Sequence, residues 1–259
     1  MKQLLQIDHV TKKFGGLLAV DAVSFDIPEG AVFGLIGPNG AGKTTVFNLI
    51  TGNYKVDGGR VLFAGEDITN RLTHKIVKRG IARTFQTIRL FANMSLMENV
   101  LAGVHCRMRA GPIAAMARMP WQVKEERRAM GKAMAELKFV GLDAQVRNVA
   151  RNLSYGNQRL LEIARALASD PRLIILDEPA GGMNEQETEA LVKLIFRIRE
   201  RGITVLLIEH DMSLVMKACE YLVVLEYGKK IAGGVPGEVK QNPLVIEAYL
   251  GSEDENDDL

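Results

Sequence analysis

The chain of 259 residues has only two cysteines, Cys106 and Cys219, far apart and in no CxxC pattern. A disulfide framework is excluded, and no dithiol or zinc motif is offered; reduced thiols are expected. Four histidines, His9, His74, His105 and His210, show no HExxH spacing, so no histidine-built metal site is expected. Long apolar runs are missing as well. A membrane helix needs ~20 apolar residues, whereas the longest runs here are short, such as LIIL (173–176) and VLLI (205–208). Any membrane role is therefore expected to come through a partner. The opening residues, MKQLLQIDHV, reach Asp8 without a long apolar core, so no signal peptide is expected. Net charge is small too: 33 basic residues face 31 acidic ones, for +2, which gives no argument for nucleic acid. That balance hides an asymmetry. The last nine residues, GSEDENDDL, carry five acids and no base, leaving a body of 33 basic against 26 acidic residues. The tail is expected to be disordered.

What is present is the composition of a folded globular protein, with 47% apolar and 25% charged residues. The length fits one large domain or two small ones. In the first third, VSFDI (23–27), AVFGLIG (31–37), GGRVLFAGEDI (58–68) and IARTF (81–85) read as short strands with their turns, and KTTVFNLITG (43–52) as a helix stopped by Gly52. The middle, 94–140, is rich in Met, Ala and charge. Its stretches MSLMENVLAGV and VKEERRAMGKAMAELKFVGL have helical periodicity. Between them RMRAGPIAAMARMP (107–120) reads as an irregular basic loop whose Arg107, Arg109 and Arg118 are free to meet solvent or a membrane partner. In the last third, RLIILDE (172–178) and ITVLLIEH (203–210) are strand-like, with a helix at about 185–201 between them. Strands separated by helices imply a parallel sheet. YLVVLEYGKKIAGGV reads as a hairpin turning at Tyr227-Gly228-Lys229, and PLVIEAYL (243–250) as a closing helix.

The segment GPNGAGKT (37–44) fits G-x-x-x-x-G-K-[ST], after a strand and opening a helix, which is the context a phosphate-binding loop demands. Gly37, Pro38, Asn39, Gly40, Ala41, Gly42, Lys43, Thr44 and Thr45 are the expected phosphate-binding residues. The glycines let backbone N–H groups converge on phosphate oxygens, and the helix N-terminus adds partial positive charge. Lys43 is expected to bridge the β- and γ-phosphates of a bound nucleotide, and the Thr44 hydroxyl to bind Mg²⁺. LIILDE (173–178) brings two carboxylates to the C-terminal end of a buried strand, the edge at which open parallel sheets bind ligands. Asp177 is expected near Mg²⁺, and Glu178 is placed to polarise an attacking water.

LSYGNQRLLEIARAL (153–167) narrows the choice. With the two motifs above, it resembles the signature of the ATP-binding subunits of ABC transporters, LSGGQ followed by a helix ending in IARAL. Ser154, Tyr155 and Gly156 stand in that signature, and Asn157 replaces its glutamine. Ser154 also suits the N-cap of the helix that follows. The resemblance implies that this segment faces the phosphate loop of a second subunit, with two ATP molecules sandwiched between two chains. It further implies that Gln86 in RTFQT is the Q-loop glutamine near Mg²⁺ and the transmembrane interface. His210 in LLIEHDM becomes the switch histidine at the γ-phosphate, and Phe14 in TKKFGG the aromatic that stacks on adenine. The resemblance runs from Leu4 to Gly251 and is closest to the LivG-like ATPases of branched-chain (hydrophobic) amino acid importers. FGGLLAVDAVSF (14–25), GIARTFQTIRLFANMSLMENVLAG (80–103), EPAGGMNEQET (178–188) and NPLVIEAYLG (242–251) carry it. In this subfamily Tyr155 is usual. The segment Gly181-Gly182-Met183-Asn184 stands where the subfamily has AGLN, and its additional glycine is expected to loosen it.

The fold implied is α/β: a P-loop NTPase (RecA-like) core with an antiparallel β subdomain and an inserted helical subdomain. The expected division is a core of 1–88 and 166–251, helical residues at about 89–165, and a tail from 252. The function implied is an ATPase subunit energising uptake of branched-chain amino acids. Lys43, Gln86, Glu178 and His210 serve hydrolysis, and Thr44, Gln86 and Asp177 hold Mg²⁺. The implied partners are a second ATPase subunit, transmembrane permease subunits and, indirectly, a periplasmic binding protein, with no nucleic acid. The place of action is the cytoplasmic face of the inner membrane. Alternatives are a urea or amide importer, a lipopolysaccharide exporter, a soluble non-transport ABC protein and a small-molecule kinase. The stretch 80–103 argues against the exporter, and a kinase has no reason to hold the 153–157 signature together with His210.

Overall fold

The computed structural model describes residues 2–107, 120–209 and 212–250. In chain order the strands and helices are β1 (Gln3–Phe14), β2 (Leu17–Pro28), β3 (Val32–Ile36), α1 (Lys43–Ile50), β4 (Gly58–Phe63), β5 (Glu66–Asp67), α2 (Thr73–Arg79), β6 (Ile81–Arg83), α3 (Leu96–His105), α4 (Pro120–Phe139) and α5 (Tyr155–Leu167). They continue as β7 (Leu173–Asp177), α6 (Glu185–Glu200), β8 (Thr204–Ile208), α7 (Met212–Ala218), β9 (Tyr221–Glu226), β10 (Lys229–Gly234), α8 (Pro236–Lys240) and α9 (Pro243–Leu250).

Two sheets result. One is antiparallel in the order β2-β1-β4-β5, and the other runs β10-β9-β3-β8-β7-β6. The second is parallel except at its β10 edge. Its strands β3, β7 and β8 are buried throughout and mostly apolar because both faces are covered. Along β3, Val32 and Ile36 enter one core while Phe33 and Leu35 enter the other. The first core continues into the helices through Leu96, Val100, Ala133, Leu137 and Leu161. The second runs into the antiparallel sheet through Leu5, Ile7, Val23 and Ile27. Central β3 pairs with β8 and β9, neither of them adjacent in sequence. The loop leaving its C-terminal end therefore emerges between strands that the chain reaches only much later.

The first hairpin is longer than the sequence suggests. β1 carries a polar string, QIDHVTKK, yet extends over the whole of 3–14, and β2 begins at Leu17 instead of residue 23. Register shifts interrupt the pairing, and His9 and Ala22 take positive φ (48° each). These bulges break the alternation that reveals a strand. Helix α2 has Ile76 as its one buried residue, too little apolar periodicity to announce it. The late hairpin turns on Tyr227-Gly228 alone, since Lys229 already pairs with Glu226. Both turn residues have positive φ, 44° and 77°, as a two-residue turn matched to strand twist requires.

Arg107 corrects the reading of a free basic loop. Its guanidinium donates to the carbonyls of Ser169 (2.7 Å), Lys78 (2.8 Å) and Asp170 (3.1 Å), so it is committed to the core. Arg109 and Arg118 lie outside the described residues.

Candidate active site

The loop after β3 is built on backbone that only glycine accepts. Gly37, Gly40 and Gly42 have φ of 146°, 78° and 97°. A Cβ on Gly37 would lie 2.1 Å from the Leu225 carbonyl oxygen, and one on Gly42 2.7 Å from that of Ala19. Helix α1 then starts at Lys43 with no side-chain cap and no acid in its first turn. Its leading N–H groups are left for an anion, and its dipole adds to their attraction. The Lys43 ammonium is largely buried and donates to the carbonyls of Gly37 (2.6 Å) and Pro38 (2.8 Å). Burial pulls its pKa down, and the charges of Glu178 and Asp177 partly oppose that.

A cavity of about 440 Å³ opens over this loop. Residues 39–45 line it, together with Phe14, Gln86 and Glu178, so three sequence-distant predictions meet in one place. Phe14 is 39% exposed and stands edge-on to Tyr54, with ring centroids 5.2 Å apart. Gln86 Nε2 donates to Glu178 Oε2 at 2.9 Å. Glu178 has φ of 43°, an uncommon conformation for a residue with a side chain. Its N–H is held by the Ile208 carbonyl at 2.8 Å. Behind it, Asp177 is 4% exposed, and burial lifts its carboxyl to about 6 while Arg83 opposes the shift. The Arg83 guanidinium lies between the rings of Phe47 (3.9 Å) and Phe85 (4.1 Å), and its own pKa is lowered to about 10 by burial.

Further cavity walls escaped the sequence reading: Leu17, Leu18, Ala19, Tyr227 and Gly228. Gly228 is bonded to both neighbours, donating to the Ala41 carbonyl (3.1 Å) and accepting from the Asp21 N–H (2.8 Å). No motif spacing links the β2 and β9–β10 turns to the phosphate loop. The only sequence signal was two leucines and a tyrosine standing next to glycines, in GGLL and YG. Three buried charged residues were also missed. Arg159 and Glu162 form an ion pair within α5 at 3.0 Å, and the carboxylate of buried Glu209 accepts the Ala180 N–H at 3.0 Å.

Ser154, Tyr155 and Gly156 are not among the walls of this cavity. Ser154 is exposed and caps α5, its hydroxyl accepting the Asn157 N–H at 3.4 Å. Gly156 is buried beside Glu187, and the Tyr155 ring lies over Gly182. The signature hydroxyl thus lies outside the cavity over the chain's own phosphate loop. His210 lies outside the described residues.

The comparisons with known proteins agree with one another. The profile of the ABC transporter family matches residues 20–181, and that of the branched-chain amino acid ATP-binding cassette transporter matches 229–255. The high-affinity branched-chain amino acid transport ATP-binding protein BraF of Pseudomonas aeruginosa is 45% identical over 251 residues, 96% of this chain and 98% of its own. LivG of Escherichia coli K12, of the same description, is 41% identical over 249 residues, again 96% and 98% of the two chains. Among solved structures, the ADP conformation of MJ1267, an ATP-binding cassette of an ABC transporter, superposes with a TM-score of 0.85. It is 36% identical, over 97% of this chain and 100% of that one. The dimeric post-hydrolysis cassette MJ0796 bound to ADP and Pi reaches 0.76 at 26% identity, over 90% and 99%.

Proposed function

The chain belongs to the ATP-binding subunits of ABC transporters, in the branch of the branched-chain amino acid ATP-binding proteins, and from that premise we propose the division of labour in its site. The protein is an ATPase coupled to transport and powers uptake of branched-chain amino acids through separate membrane subunits. The observation that carries the site reading is the convergence of the phosphate loop, Gln86 and Glu178 on one cavity, with the Gln86–Glu178 bond across it.

In this reading the amides of residues 39–44 and the Lys43 ammonium bind the phosphates, and Phe14 stacks on adenine. Glu178 polarises the attacking water as general base, and Gln86 orients its carboxylate through the observed bond. His210 steadies the transferring γ-phosphate. Asp177, Thr44 and Gln86 are an all-oxygen set, the donor chemistry of Mg²⁺. Such a cation neutralises charge on the phosphate oxygens. The burial of Asp177 fits the assignment, because a buried carboxylate is costly to ionise and a bound cation would offset that cost.

Ser154, Tyr155 and Gly156 face the γ-phosphate held by a second ATPase subunit, completing an ATP sandwich. Their position outside the chain's own cavity supports this. Core residues 1–88 and 166–251 carry the nucleotide, and the helical part at about 89–165 meets the permease. A periplasmic binding protein delivers the amino acid to that permease, and the ATPase works at the cytoplasmic face of the inner membrane.

The test is Glu178→Gln. Hydrolysis is expected to fall by at least about 10²-fold, the weight of a general base. ATP affinity is retained, and the ATP-bound variant accumulates as a dimer by light scattering. Native turnover in a folded variant would sink the role of Glu178. For the cargo, the complex reconstituted with its permease is expected to be stimulated by a receptor loaded with a branched-chain amino acid. Stimulation only by a urea or amide receptor overturns that assignment.

A further inference from the structure

We propose that Arg159 is a positioning residue for ATP hydrolysis, its guanidinium fixing the backbone that carries Gln86 against the backbone that carries Glu178. The inference rests on the reading of Gln86 and Glu178 above. Arg159 is fully buried on α5. One terminal nitrogen donates to the Phe85 carbonyl (2.5 Å) and pairs with Glu162 (3.0 Å). The other reaches the carbonyls of Gln86 (2.9 Å) and Glu178 (3.5 Å) and the Tyr155 hydroxyl (3.4 Å). One planar group thus touches both loops whose side chains meet in the 2.9 Å Gln86–Glu178 bond.

Glu162 completes the clamp from the same helix. It is fully buried, and its second oxygen accepts the N–H groups of Phe85 and Arg89, each at 3.3 Å. Residues 85–89 lie in neither helix nor strand. Their polar groups have no ladder to join, and Arg159 with Glu162 supply partners on both sides of the chain. Arg165 adds a bond to the Arg89 carbonyl at 2.5 Å. Stability alone does not call for this design. A buried ion pair is often matched or bettered by apolar residues of similar volume, and Arg159 Nε finds no hydrogen-bond partner among the described residues. What an apolar pair cannot do is hold three carbonyls on two loops at fixed separation. Lysine cannot either, since a point ammonium lacks the two-armed fork.

The loop bearing Gln86 also bears on the strain at Glu178. With φ of 43°, Glu178 needs its surroundings to hold it. Its N–H is fixed by β8 through Ile208 and its carbonyl receives Arg159. Release of the carbonyl side loosens the carboxylate that Gln86 meets.

The experiment compares Arg159→Lys and the charge-free double variant Arg159→Met with Glu162→Gln in the full chain. Arg159→Lys keeps a cation on the helix beside Glu162, so the buried carboxylate is not left without a countercharge. Affinity for a fluorescent ATP analogue, KM, kcat and thermal midpoint are measured for each, with Glu178→Gln as the hydrolysis-dead reference. We expect kcat to fall about tenfold or more in both, a loss equal to about 1.4 kcal/mol of transition-state stabilisation. Nucleotide affinity and KM stay within about threefold, the pattern of an interaction made only in the transition state. Native kcat in a folded Arg159→Lys chain overturns the proposal. So do parallel losses of affinity, kcat and thermal midpoint, which mark a residue of the general scaffold. If Glu178→Gln itself hydrolyses normally, the underlying site reading fails instead, and the Arg159 result is then no support for it.

Discussion

Tyr227 has φ of 44° and a side chain 79% exposed at the cavity rim. A bulky residue in the left-handed region costs about 1–2 kcal/mol, and a side chain this exposed gains too little burial to offset it. Asparagine tolerates that region. Tyr227→Asn is therefore expected to raise the denaturation free energy by about 1 kcal/mol while weakening nucleotide binding by calorimetric titration. A gain in stability with unchanged affinity would remove Tyr227 from the binding surface. At this scale the sequence was most legible where chemistry dictates residue type. Gly37, Lys43, Thr44, Asp177 and Glu178 stood out as candidates because phosphate cradling and carboxylate placement admit few substitutes. Arg159 and Glu162 were not, although a charged pair three apart on the apolar face of a helix is a usable flag. Most of their backbone partners lie more than 70 residues away, which no local pattern encodes.

Among the elements, the connection from β7 to α6 separates two glycines that look alike in sequence. Gly182 has φ of 76°, and a Cβ there would meet the Tyr155 ring at 3.1 Å. Gly181 has no positive φ, and its Cβ would find only the Glu178 carbonyl oxygen at 3.4 Å. Chemical denaturation is expected to show Gly181→Ala neutral or stabilising by up to about 1 kcal/mol, from lost freedom of the unfolded chain. Gly182→Ala is destabilising by more than that. The reverse order contradicts the turn geometry. Asp57 closes the other end of the molecule's antiparallel sheet, accepting the Lys13 N–H (2.8 Å) and pairing with Lys12 (3.0 Å). The bond from the Lys13 backbone, then Lys12, pulls its pKa below 3.8. A depressed carboxyl stabilises the fold at pH above its unfolded value, and that contribution fades as pH falls through the folded one. Asp57→Ala should thus be less stable than the native chain at pH 7, with the gap closing at pH values well under 3.8. A gap that persists unchanged in acid rules out the charge as its source.

For the whole molecule, the question is whether the helices unfold with the sheet. The core on one face of the six-stranded sheet runs without a break from Ile174, Leu176 and Val205 to Leu96, Ala133 and Leu137. Glu136, 3% exposed, adds a two-pronged pair with Arg201 at 2.6 and 2.7 Å, joining α4 to the end of α6. A shared core makes unfolding cooperative. The single tryptophan, Trp121, lies on α4 and is half exposed, so its fluorescence reports on the helical part while far-UV dichroism reports on the whole. The two transitions are expected to coincide in denaturant. Separate midpoints would make the helical part an independent unit.

Sequence by itself pointed to the chemistry proposed for the site. The loop GPNGAGKT, the pair Asp177-Glu178 and the signature at 153–157 each rest on residue types fixed by phosphate, cation and helix-end physics, and each is local. Periodicity also gave the buried strands, because a strand covered on both faces reads as an apolar run. Tertiary structure alone decided how those pieces face one another. It set Gln86 against Glu178, carried Phe14, Leu17, Leu18 and the Tyr227 turn to the mouth of the phosphate loop, and kept Ser154 off that cavity. The physical reason is the crossing of β3 between β8 and β9. Sheet order brings distant segments to one edge, and the side chains that meet there are selected by packing and hydrogen bonding between segments, which no window of sequence contains.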